Sequence, residues 1–416
     1  MKKRVVITGI GAVTPSGTGK EAIWNSTING ISSAQVSEKF VNNELPVKIA
    51  CEVKDFEPKM YLKPRTIMCL DRQAQFAFVS AKMAIDDSNL QLDSMLSDKT
   101  GVFEGTALAS LNTNFERHCL YLKEGIRKIS PFALLNGLTG NASAAIASEY
   151  KLHGPAVTFS SGCVSSSYAI GYGFRKIQHG ELTIAIAGGA EAPVSKEIIG
   201  MFSKASLLST QNDKPGSACK PFDLCRDGFV LGEGGAFLVL EELEHALNRN
   251  ADIYAELIGF GETTDAFHPS SPEPGGKFYV NAMEFALTDA GITTEEIEYI
   301  NVHGTATKLN DVSETNAIKN TYKENSANIA VSSTKPVTGH LLGACGSIEL
   351  IITSLAIKNG LIPPTANLEN IDPACNLNVI NAPIKKEINY AMSNNLSFGG
   401  RNSSIIIKRF LSNSKN

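Results

Sequence analysis

The stretch Val157-Thr-Phe-Ser-Ser-Gly-Cys-Val-Ser-Ser-Ser-Tyr-Ala-Ile-Gly171 is the one from which the fold of this chain can be worked out. An apolar, β-branched segment ends at small residues, Cys163 follows, and a run almost free of bulky side chains begins. This layout predicts a strand, a turn and a helix, with the thiol at or near the first helical turn. The unpaired N–H groups and partial positive charge of a helix N-terminus favour a thiolate. The stretch therefore indicates either a nucleophilic cysteine or a buried structural one, since free cysteines are often buried.

The bulk composition is that of a globular protein with room for two cores. The chain has 416 residues, of which 43% are hydrophobic and 19% charged, and a net charge of −4. That charge argues against nucleic acid or an anionic membrane as a partner, and no apolar run approaches the ~20 residues of a membrane span. The basic and then apolar start is broken at Gly9 and Gly11, which predicts a first strand and not a signal peptide. Eight cysteines without a CxxC pair predict reduced thiols and a cytoplasmic location.

An internal duplication is visible in two pairs of segments. Residues 73–107 predict an amphipathic helix, a polar link and a strand that ends in Gly-Thr-Ala, and residues 278–306 repeat this order. Likewise, Val157–Ser161 leads to the Cys163 helix, and Ile329–Ser333 leads to a second helix rich in small residues. Small side chains allow close approach, so we expect these two helices to pack against each other in the centre.

The duplication predicts the architecture. Continuous apolar strands alternate with helical segments, which is typical of sheets covered on both faces. We therefore expect an α/β fold of two similar halves, with helices between and outside the sheets. The N-terminal half, residues 1–250, contains Cys163, and the C-terminal half, residues 251–416, contains the two histidines considered next.

His303 and His340 lie at informative positions in the C-terminal half. His303, in Asn301-Val-His-Gly-Thr-Ala-Thr307, follows an apolar strand, and His340 precedes the second small-residue helix. The duplication relates the His340 segment to the Cys163 segment, so the two should meet. Either histidine alone is more typical of a structural role, whereas both together with Cys163 indicate a catalytic set.

Two alternatives for these motifs involve a bound metal or nucleotide. A metal site from Cys163, His303 and His340 would need a fourth ligand or an open position, and no two of them have helical i, i+3 or i+4 spacing. Thr8–Gly17 is similar to a dinucleotide fingerprint but lacks its third glycine, and Pro15 stands where a helix should open. We expect neither a metal nor a nucleotide.

The motifs together resemble the elongating β-ketoacyl-acyl-carrier-protein synthases of the thiolase superfamily, over nearly the whole chain. They are the Cys163 turn, Lys220-Pro-Phe-Asp223 with Arg226–Gly234, Val302–Thr307, Ser333–Gly343 and Phe398-Gly-Gly400. The resemblance implies a thiolase-like duplicated fold with five layers in the order α-β-α-β-α. It also implies an acyltransferase that condenses malonyl carrier protein with a cysteine-bound acyl chain and loses CO2.

The same resemblance implies a role for each matching residue. Acyl carrier protein would be the partner and would bring its own phosphopantetheine, so that no cofactor is needed. Cys163 would be the nucleophile, His303 and His340 would bind the enolate, and Lys335 would pair with Glu349 and orient the two histidines. Phe398 would be the gate and would form the oxyanion hole together with Cys163. Thr305 and Thr307 would bind pantetheine, and Leu108 and Phe202 would line the acyl pocket.

Departures from the family pattern leave the pathway open. Gly162 before the nucleophile resembles the ketosynthase subunit of type II polyketide synthases, and this favours that pathway over a housekeeping fatty-acid synthase II. The stretch 66–69 lacks the basic residues that fatty-acid members use to bind their acidic carrier. We expect a dimer through the central sheet, either a homodimer or a heterodimer with a chain-length factor. A non-catalytic, chain-length-factor-like role is a further alternative.

Overall fold

The computed structural model describes residues 2–41 and 44–411. The strands in these ranges are β1 (Val5–Thr14), β2 (Gly17–Thr18), β3 (Gln35–Val36), β4 (Ile49–Ala50), β5 (Thr100–Gly105), β6 (Ala156–Phe159), β7 (Ile184–Glu191), β8 (Gly234–Glu242), β9 (Ala255–Thr264), β10 (Tyr299–Asn301), β11 (Ala330–Ser332), β12 (Leu361–Ile362), β13 (Ile384–Lys385), β14 (Tyr390–Ser397) and β15 (Arg401–Lys408). The α-helices are α1 (Lys20–Ile28), α2 (Pro64–Cys69), α3 (Arg72–Asp87), α4 (Ser94–Ser97), α5 (Leu111–Glu124), α6 (Ala133–Asn136), α7 (Asn141–Tyr150), α8 (Ser165–Gln178), α9 (Lys196–Lys204), α10 (Leu243–Asn248), α11 (Lys277–Ala290), α12 (Lys308–Tyr322), α13 (Lys335–Thr338) and α14 (Cys345–Asn359). Within the described ranges, no helix has the length and apolar character needed to cross a membrane.

Local sequence signals explain where the main helices begin and end. The Asp71 side chain accepts a hydrogen bond from Ala74 N at 3.0 Å and caps the start of α3. Gly291 and Gly360 follow α11 and α14 with φ of +68° and +60°, in the left-handed region that glycine adopts without strain. Strands β7 and β8 are almost entirely buried, as their continuous apolar sequences predict.

The strand order confirms the duplication. The main sheet runs β11-β10-β14-β15-β9-β1-β8-β7-β5-β6, with β2 paired to β1. In the N-terminal half, β1 with β8 and β8 with β7 pair antiparallel, whereas β7 with β5 and β5 with β6 pair parallel. In the C-terminal half, β9 with β15 and β15 with β14 pair antiparallel, whereas β14 with β10 and β10 with β11 pair parallel. Each half of the chain therefore folds into the same five-stranded arrangement.

The β layers of the two halves are joined into one continuous sheet. Val5–Ile7 of β1 pair with Ala255–Leu257 of β9 in antiparallel register, and this joins the two five-stranded halves. A buried strand edge with unpaired N–H and C=O groups is costly, and this pairing satisfies the three-residue segments where the two edges meet.

Helices cover both halves and fill the space between them. Helices α3 and α7 pack on the outer face of the N-terminal half, α11 and α12 lie outside the C-terminal half, and α8 and α14 pack together in the centre. The layer order is thus α-β-α-β-α, as predicted. Ser347 N donates to Ser166 Oγ at 3.0 Å across the central helix pair. The small side chains of α8 and α14 allow this approach, which brings the N-termini of the two helices together.

The glycines that are similar to a dinucleotide fingerprint serve packing. Gly9 and Gly11 lie within the buried strand β1. A Cβ on Gly9 would overlap Ala84 O, and one on Gly11 would overlap Ser80 O, both carbonyl oxygens of α3. The absence of side chains here lets α3 lie directly against the strand.

Gly346→Ala tests the close packing of the central helices. An added Cβ would overlap Ser167 Oγ and lie 2.8 Å from Ser167 N, so α8 and α14 must separate. We expect a loss of about 1–3 kcal/mol in the free energy of unfolding, because this strain exceeds the helix preference for alanine. Urea denaturation followed by circular dichroism measures the loss. Gly216→Ala, where a Cβ meets nothing within 4 Å, is the matched control, and equal midpoints for both variants would contradict the packing.

Candidate active site

Cys163 lies in the turn between β6 and α8, as the sequence predicted. Ser161 N donates to Ser165 Oγ at 2.8 Å, and Ser165 Oγ donates to Gly162 O at 2.6 Å, so one serine side chain fixes the turn from both sides. Gly162 has a φ of +66°, which is strained for any residue with a side chain. The turn directs the thiol into a cavity and places Cys163 two residues before Ser165, the first residue of α8.

The structure brings Cys163, His303 and His340 to one point. The distance from Cys163 Sγ to His340 Nε2 is 3.4 Å. The rings of the two histidines are perpendicular, with centroids 5.5 Å apart. Because α8 and α14 start next to each other, Cys163 from one half faces His340 from the other half, as the duplication predicted.

Hydrogen bonds to Nδ1 set the tautomer of both histidines. Leu342 N donates to Nδ1 of His340 at 3.3 Å. Nδ1 of His303 lies 3.3 Å from Lys335 Nζ and 3.4 Å from Asn395 Nδ2, both of which can only donate. Since each Nδ1 is an acceptor, the proton of each neutral ring is on Nε2. Both histidines therefore offer an N–H donor on their other nitrogen.

The electrostatics of the site keep both histidines neutral. Burial lowers the pKa of His303 well below its ordinary value, and the positive charge of Lys335 lowers it further. Burial and Lys335 act in the same way on the pKa of His340. The pair is thus unprotonated at neutral pH and acts through hydrogen bonds, without taking up a proton.

A buried ion pair lies behind His303. Lys335 Nζ and Glu349 Oε1 are 2.5 Å apart, and each side chain is only 1% exposed. Burial disfavours the ammonium, but the adjacent Glu349 carboxylate raises the pKa of Lys335 above its ordinary value. Lys335 Nζ also donates to the backbone carbonyl of His303. Lys335 is therefore charged and bound on two sides.

Of the two histidines that Lys335 is expected to orient, it makes hydrogen bonds to His303 only. Lys335 makes its hydrogen bonds to the ring and the carbonyl of His303. His340 is held by its own loop instead, because its Nδ1 turns back towards Leu342 N and lies 3.0 Å from Cys345 Sγ.

Two positioning residues were missed at the sequence level. Asn395 donates to Glu349 Oε2 at 2.5 Å and accepts from Ser167 Oγ at 2.7 Å, so its amide is fixed with Nδ2 towards His303. Glu314 accepts hydrogen bonds from His303 N and Gly304 N, both at 2.8 Å. Both residues could have been suspected from polar side chains close to the expected site in the sequence. Asn394 and Asn395 precede Phe398, and Glu314 lies on the helix that follows the His303 loop.

A cavity of about 430 Å³ connects the catalytic set to the surface. Its apolar part includes Leu108, Phe202 and Phe229, and its exposed rim includes Lys308 and Phe398. Of the site residues predicted from the sequence, eight line this cavity: Leu108, Cys163, Phe202, His303, Thr305, Thr307, His340 and Phe398. Lys335 and Glu349 lie behind this surface, as expected for supporting residues.

The threonines expected to bind a pantetheine arm lie side by side in this cavity. Thr305 Oγ1 and Thr307 Oγ1 are 2.9 Å apart, and both line the wall between the rim and His303. Thr305 N donates to Asp311 Oδ1 at 3.1 Å, and Asp311 in turn pairs with the buried Arg226 at 3.2 Å. The Arg226 motif thus supports the loop that carries both threonines.

The three catalytic-set residues also have the spacing of metal ligands. One potential ligand atom from each of Cys163, His303 and His340 lies within 4.8 Å of the other two. The Lys335 ammonium, 3.3 Å from the His303 ring, would repel a dication at this position. That the site works without metal remains a prediction.

The environment of Cys163 acts against the thiolate expected from its position at a helix start. Burial, the largest influence, raises the pKa of the Cys163 thiol above its ordinary value, and the charge of Lys335 offsets this only in part. The sequence showed the helix N-terminus, whereas the depth of the thiol depends on the whole fold. At neutral pH, the raised pKa keeps Cys163 as a protonated thiol.

The pH dependence of alkylation tests this protonation state. Only the thiolate reacts with iodoacetamide, so a raised pKa predicts a rate at Cys163 that climbs about tenfold per pH unit from about pH 7 to about pH 9. Peptide mass mapping of time points measures the rate, and the exposed Cys119 in the same digest is the reference thiol. A plateau of the Cys163 rate near neutral pH would show a stable thiolate and contradict the prediction.

Comparison with known proteins identifies the family of this chain. Residues 2–246 match the family model for the N-terminal domain of β-ketoacyl synthases, and residues 254–369 match that for the C-terminal domain. The 3-oxoacyl-[acyl-carrier-protein] synthase 2 of Coxiella burnetii is 41% identical over 98% of this chain and 99% of its own length. The enzyme of the same name from Synechocystis is 39% identical over 98% and 99%.

Two solved structures of known ketosynthases have the same fold. One is a type II polyketide ketosynthase in complex with its acyl-carrier protein and bound to a hexaketide, with a TM-score of 0.91, 31% identity and coverage of 99% of this chain and 100% of that chain. The other is the ishigamide ketosynthase/chain length factor, with a TM-score of 0.91, 32% identity and coverage of 99% and 100%. The chain belongs to the β-ketoacyl synthase family.

Proposed function

We propose that this protein is a 3-oxoacyl-acyl-carrier-protein synthase that condenses malonyl carrier protein with an acyl chain held on Cys163. One observation carries the proposal. A cysteine thiol and two neutral histidines, each with its proton on Nε2, meet at the end of one cavity. A nucleophile for acyl transfer and a pair of donors for an enolate oxygen are the two components that this reaction needs.

The first half-reaction loads the acyl chain. Cys163 Sγ attacks the carbonyl carbon of an acyl thioester, a new S–C bond forms, and the bond to the carrier sulfur breaks. The thiol proton of Cys163 ends on the departing carrier thiol, so charge balances without an external base. The acyl chain then extends along the apolar part of the cavity, beside Leu108 and Phe202.

The second half-reaction uses the two histidines. The malonyl C–C bond breaks, CO2 leaves, and the electron pair moves onto the thioester oxygen to form an enolate. The Nε2–H groups of His303 and His340 hold that oxygen in a site with little water, where each donor is worth about 3 kcal/mol of barrier. The enolate carbon attacks the acyl-Cys163 carbonyl, the bond to Sγ breaks, and Cys163 departs as a thiolate that takes up one proton from solvent water.

The chemistry requires no cofactor of the protein's own. The thioester arrives on the phosphopantetheine of acyl carrier protein, for which Thr305 and Thr307 offer adjacent hydroxyls along the cavity. Arg72, near the segment where fatty-acid members bind their carrier, is engaged with Glu233 Oε1 at 2.6 Å, whereas Arg65 is exposed. We therefore infer that the carrier docks with fewer basic contacts on that side of the protein.

A dimer through the central sheet fits the free edge of the N-terminal half. Strand β6 is the last in the sheet order, and within residues 2–41 and 44–411 no strand pairs with its outer edge. Val157 of β6 is exposed, as are the apolar side chains of Leu134 and Tyr172. Pairing of two β6 strands would extend the sheet and cover an edge that is otherwise open to aggregation.

Whether the partner is a second copy or a homologous chain-length factor depends on the pathway. Gly162 and a solved neighbour described as a ketosynthase/chain length factor favour the polyketide version, and the curated relatives named synthase 2 favour the alternative of a homodimer in fatty-acid elongation. All eight cysteines are free thiols, which supports a cytoplasmic location in either case.

Substitutions of Cys163 and His303 test the two half-reactions separately. Cys163→Ala abolishes acyl transfer and condensation but retains release of CO2 from malonyl carrier protein, because the histidine pair remains. His303→Ala retains acylation of Cys163 and loses about 10²- to 10³-fold in decarboxylation rate, as for removal of one oxyanion-type donor. Intact-protein mass spectrometry follows acylation, and release of labelled CO2 follows decarboxylation.

Lys123→Ala, at an exposed position of α5 that does not line the cavity, is the control for these assays. Acyl transfer to another cysteine while Cys163 stays unmodified would contradict the assignment of Cys163 as the nucleophile. Full CO2 release by His303→Ala would remove its role in enolate stabilisation.

The assembly state separates the two pathway versions. The polyketide version predicts that the chain alone is inactive or insoluble and becomes active with a homologous partner subunit. The fatty-acid version predicts a stable homodimer that elongates fatty acyl carrier protein. Light scattering and a condensation assay, on the chain alone and co-expressed with homologous neighbouring gene products, give the answer. A monomer with full activity would contradict both versions.

A further inference from the structure

Ser397 stands next to the nucleophile in a position that the reaction described above does not use. It is the last residue of β14 and directly precedes Phe398. Its Oγ accepts a hydrogen bond from the backbone N–H of Cys163 at 2.8 Å. That N–H is the group expected to hold the oxygen of the acyl thioester. The serine hydroxyl therefore takes up the hydrogen bond of an expected oxyanion donor.

Gly162 provides the space for this hydroxyl. A Cβ on Gly162 would overlap Ser397 Oγ and would lie 3.4 Å from Ser397 Cβ. Any other residue at position 162 would therefore drive the hydroxyl away from Cys163 N. The unusual glycine before the nucleophile and the serine on β14 form a matched pair, and neither observation depends on the pathway.

The segment that carries Ser397 also connects the two halves of the reaction. Asn395 and Ser397 are two residues apart on β14, so their side chains share one face of the strand. Asn395 holds Nδ1 of His303, and Ser397 holds N of Cys163. Immediately beyond, Gly399 and Gly400 have φ of +81° and +66°, so the chain turns sharply after the gate residue Phe398.

We propose that Ser397 is a positioning residue whose hydroxyl occupies the acyl-oxygen subsite of the free enzyme and is displaced when Cys163 is acylated. The proposal rests on acyl transfer to Cys163 as the proposed function. In the free enzyme, the hydroxyl satisfies the N–H of Cys163 and ties the Phe398 segment to the nucleophile. When the thioester carbonyl enters, its oxygen takes over the N–H, the bond to Ser397 breaks, and the segment before Phe398 is released.

Ser397→Ala provides the kinetic test, because it removes the hydroxyl and keeps the Cβ. Acylation no longer has to break the hydrogen bond, so the rate of acyl transfer should rise about two- to tenfold, the range that one hydrogen bond is worth. Alkylation by iodoacetamide needs no oxyanion donor, and its rate at Cys163 should change less than about twofold. The acyl donors are the acetyl, butyryl and octanoyl thioesters of N-acetylcysteamine, and transfer is followed by intact mass.

Ser393→Ala is the matched control, because Ser393 lies on the same strand and the same face. In the part of the chain that the structure describes, its buried hydroxyl has no hydrogen-bond partner. This control should acylate at the wild-type rate. An equal rise in acylation and alkylation for Ser397→Ala would show general loosening of the site and overturn the proposal.

A double-mutant cycle tests the contact independently of activity. Gly162→Ala should lower the urea midpoint more when Ser397 is present than in the Ser397→Ala background, where the overlap with Oγ is gone. The backbone strain from the φ of Gly162 is the same in both backgrounds and cancels. Equal losses in both backgrounds would contradict the matched pair.

The outcomes separate this inference from the function on which it rests. A wild-type protein that takes no acyl chain on Cys163 from any of the donors would overturn the proposed function and this inference with it. Normal acylation of the wild type with an unchanged rate in Ser397→Ala would overturn this inference alone. A slower rate in Ser397→Ala would also overturn it, and would show that the hydroxyl assists acyl transfer as a donor.

Discussion

The buried ion pair between Lys335 and Glu349 is the interaction on which the candidate site depends. Both side chains are almost fully buried, and Glu349 also accepts from Asn395. Removal of one partner would leave an uncompensated charge inside the protein, at a cost of about 3–5 kcal/mol. The pair holds donors against Nδ1 of His303, and this decides that the proton of the neutral ring is on Nε2.

The duplication explains how such a site can be assembled from distant segments. Cys163 stands at the start of α8 and His340 just before α14, and the two helices pack because small residues line their contact. Each half alone contributes only part of the catalytic set. The central contact brings the parts to within hydrogen-bond distance, so the same residues that form the core also set the active-site geometry.

Ser397 shows how a strand end can serve both half-reactions. Its neighbour on the same face, Asn395, contacts Nδ1 of His303, while Ser397 itself accepts a hydrogen bond from the backbone amide of Cys163. Phe398, which lies at the exposed rim of the cavity, follows directly. One short strand end therefore contacts Cys163, His303 and the cavity rim, because the backbone links these three positions.

The sequence by itself determined the repeated order of helices and strands and the turn that carries Cys163, since local patterns of apolar, small and glycine residues encode these features. The residues that line the cavity followed only from the resemblance of the motifs to a known family. The sequence did not reveal that one sheet joins the halves, that Lys335 orients His303 alone, or that Asn395, Glu314 and Ser397 support the site. Those features depend on atoms separated by tens to hundreds of residues, and only packing decides which of them meet. The protonation of Cys163 belongs to the same group, because the helix start is local whereas burial of the thiol depends on the whole fold.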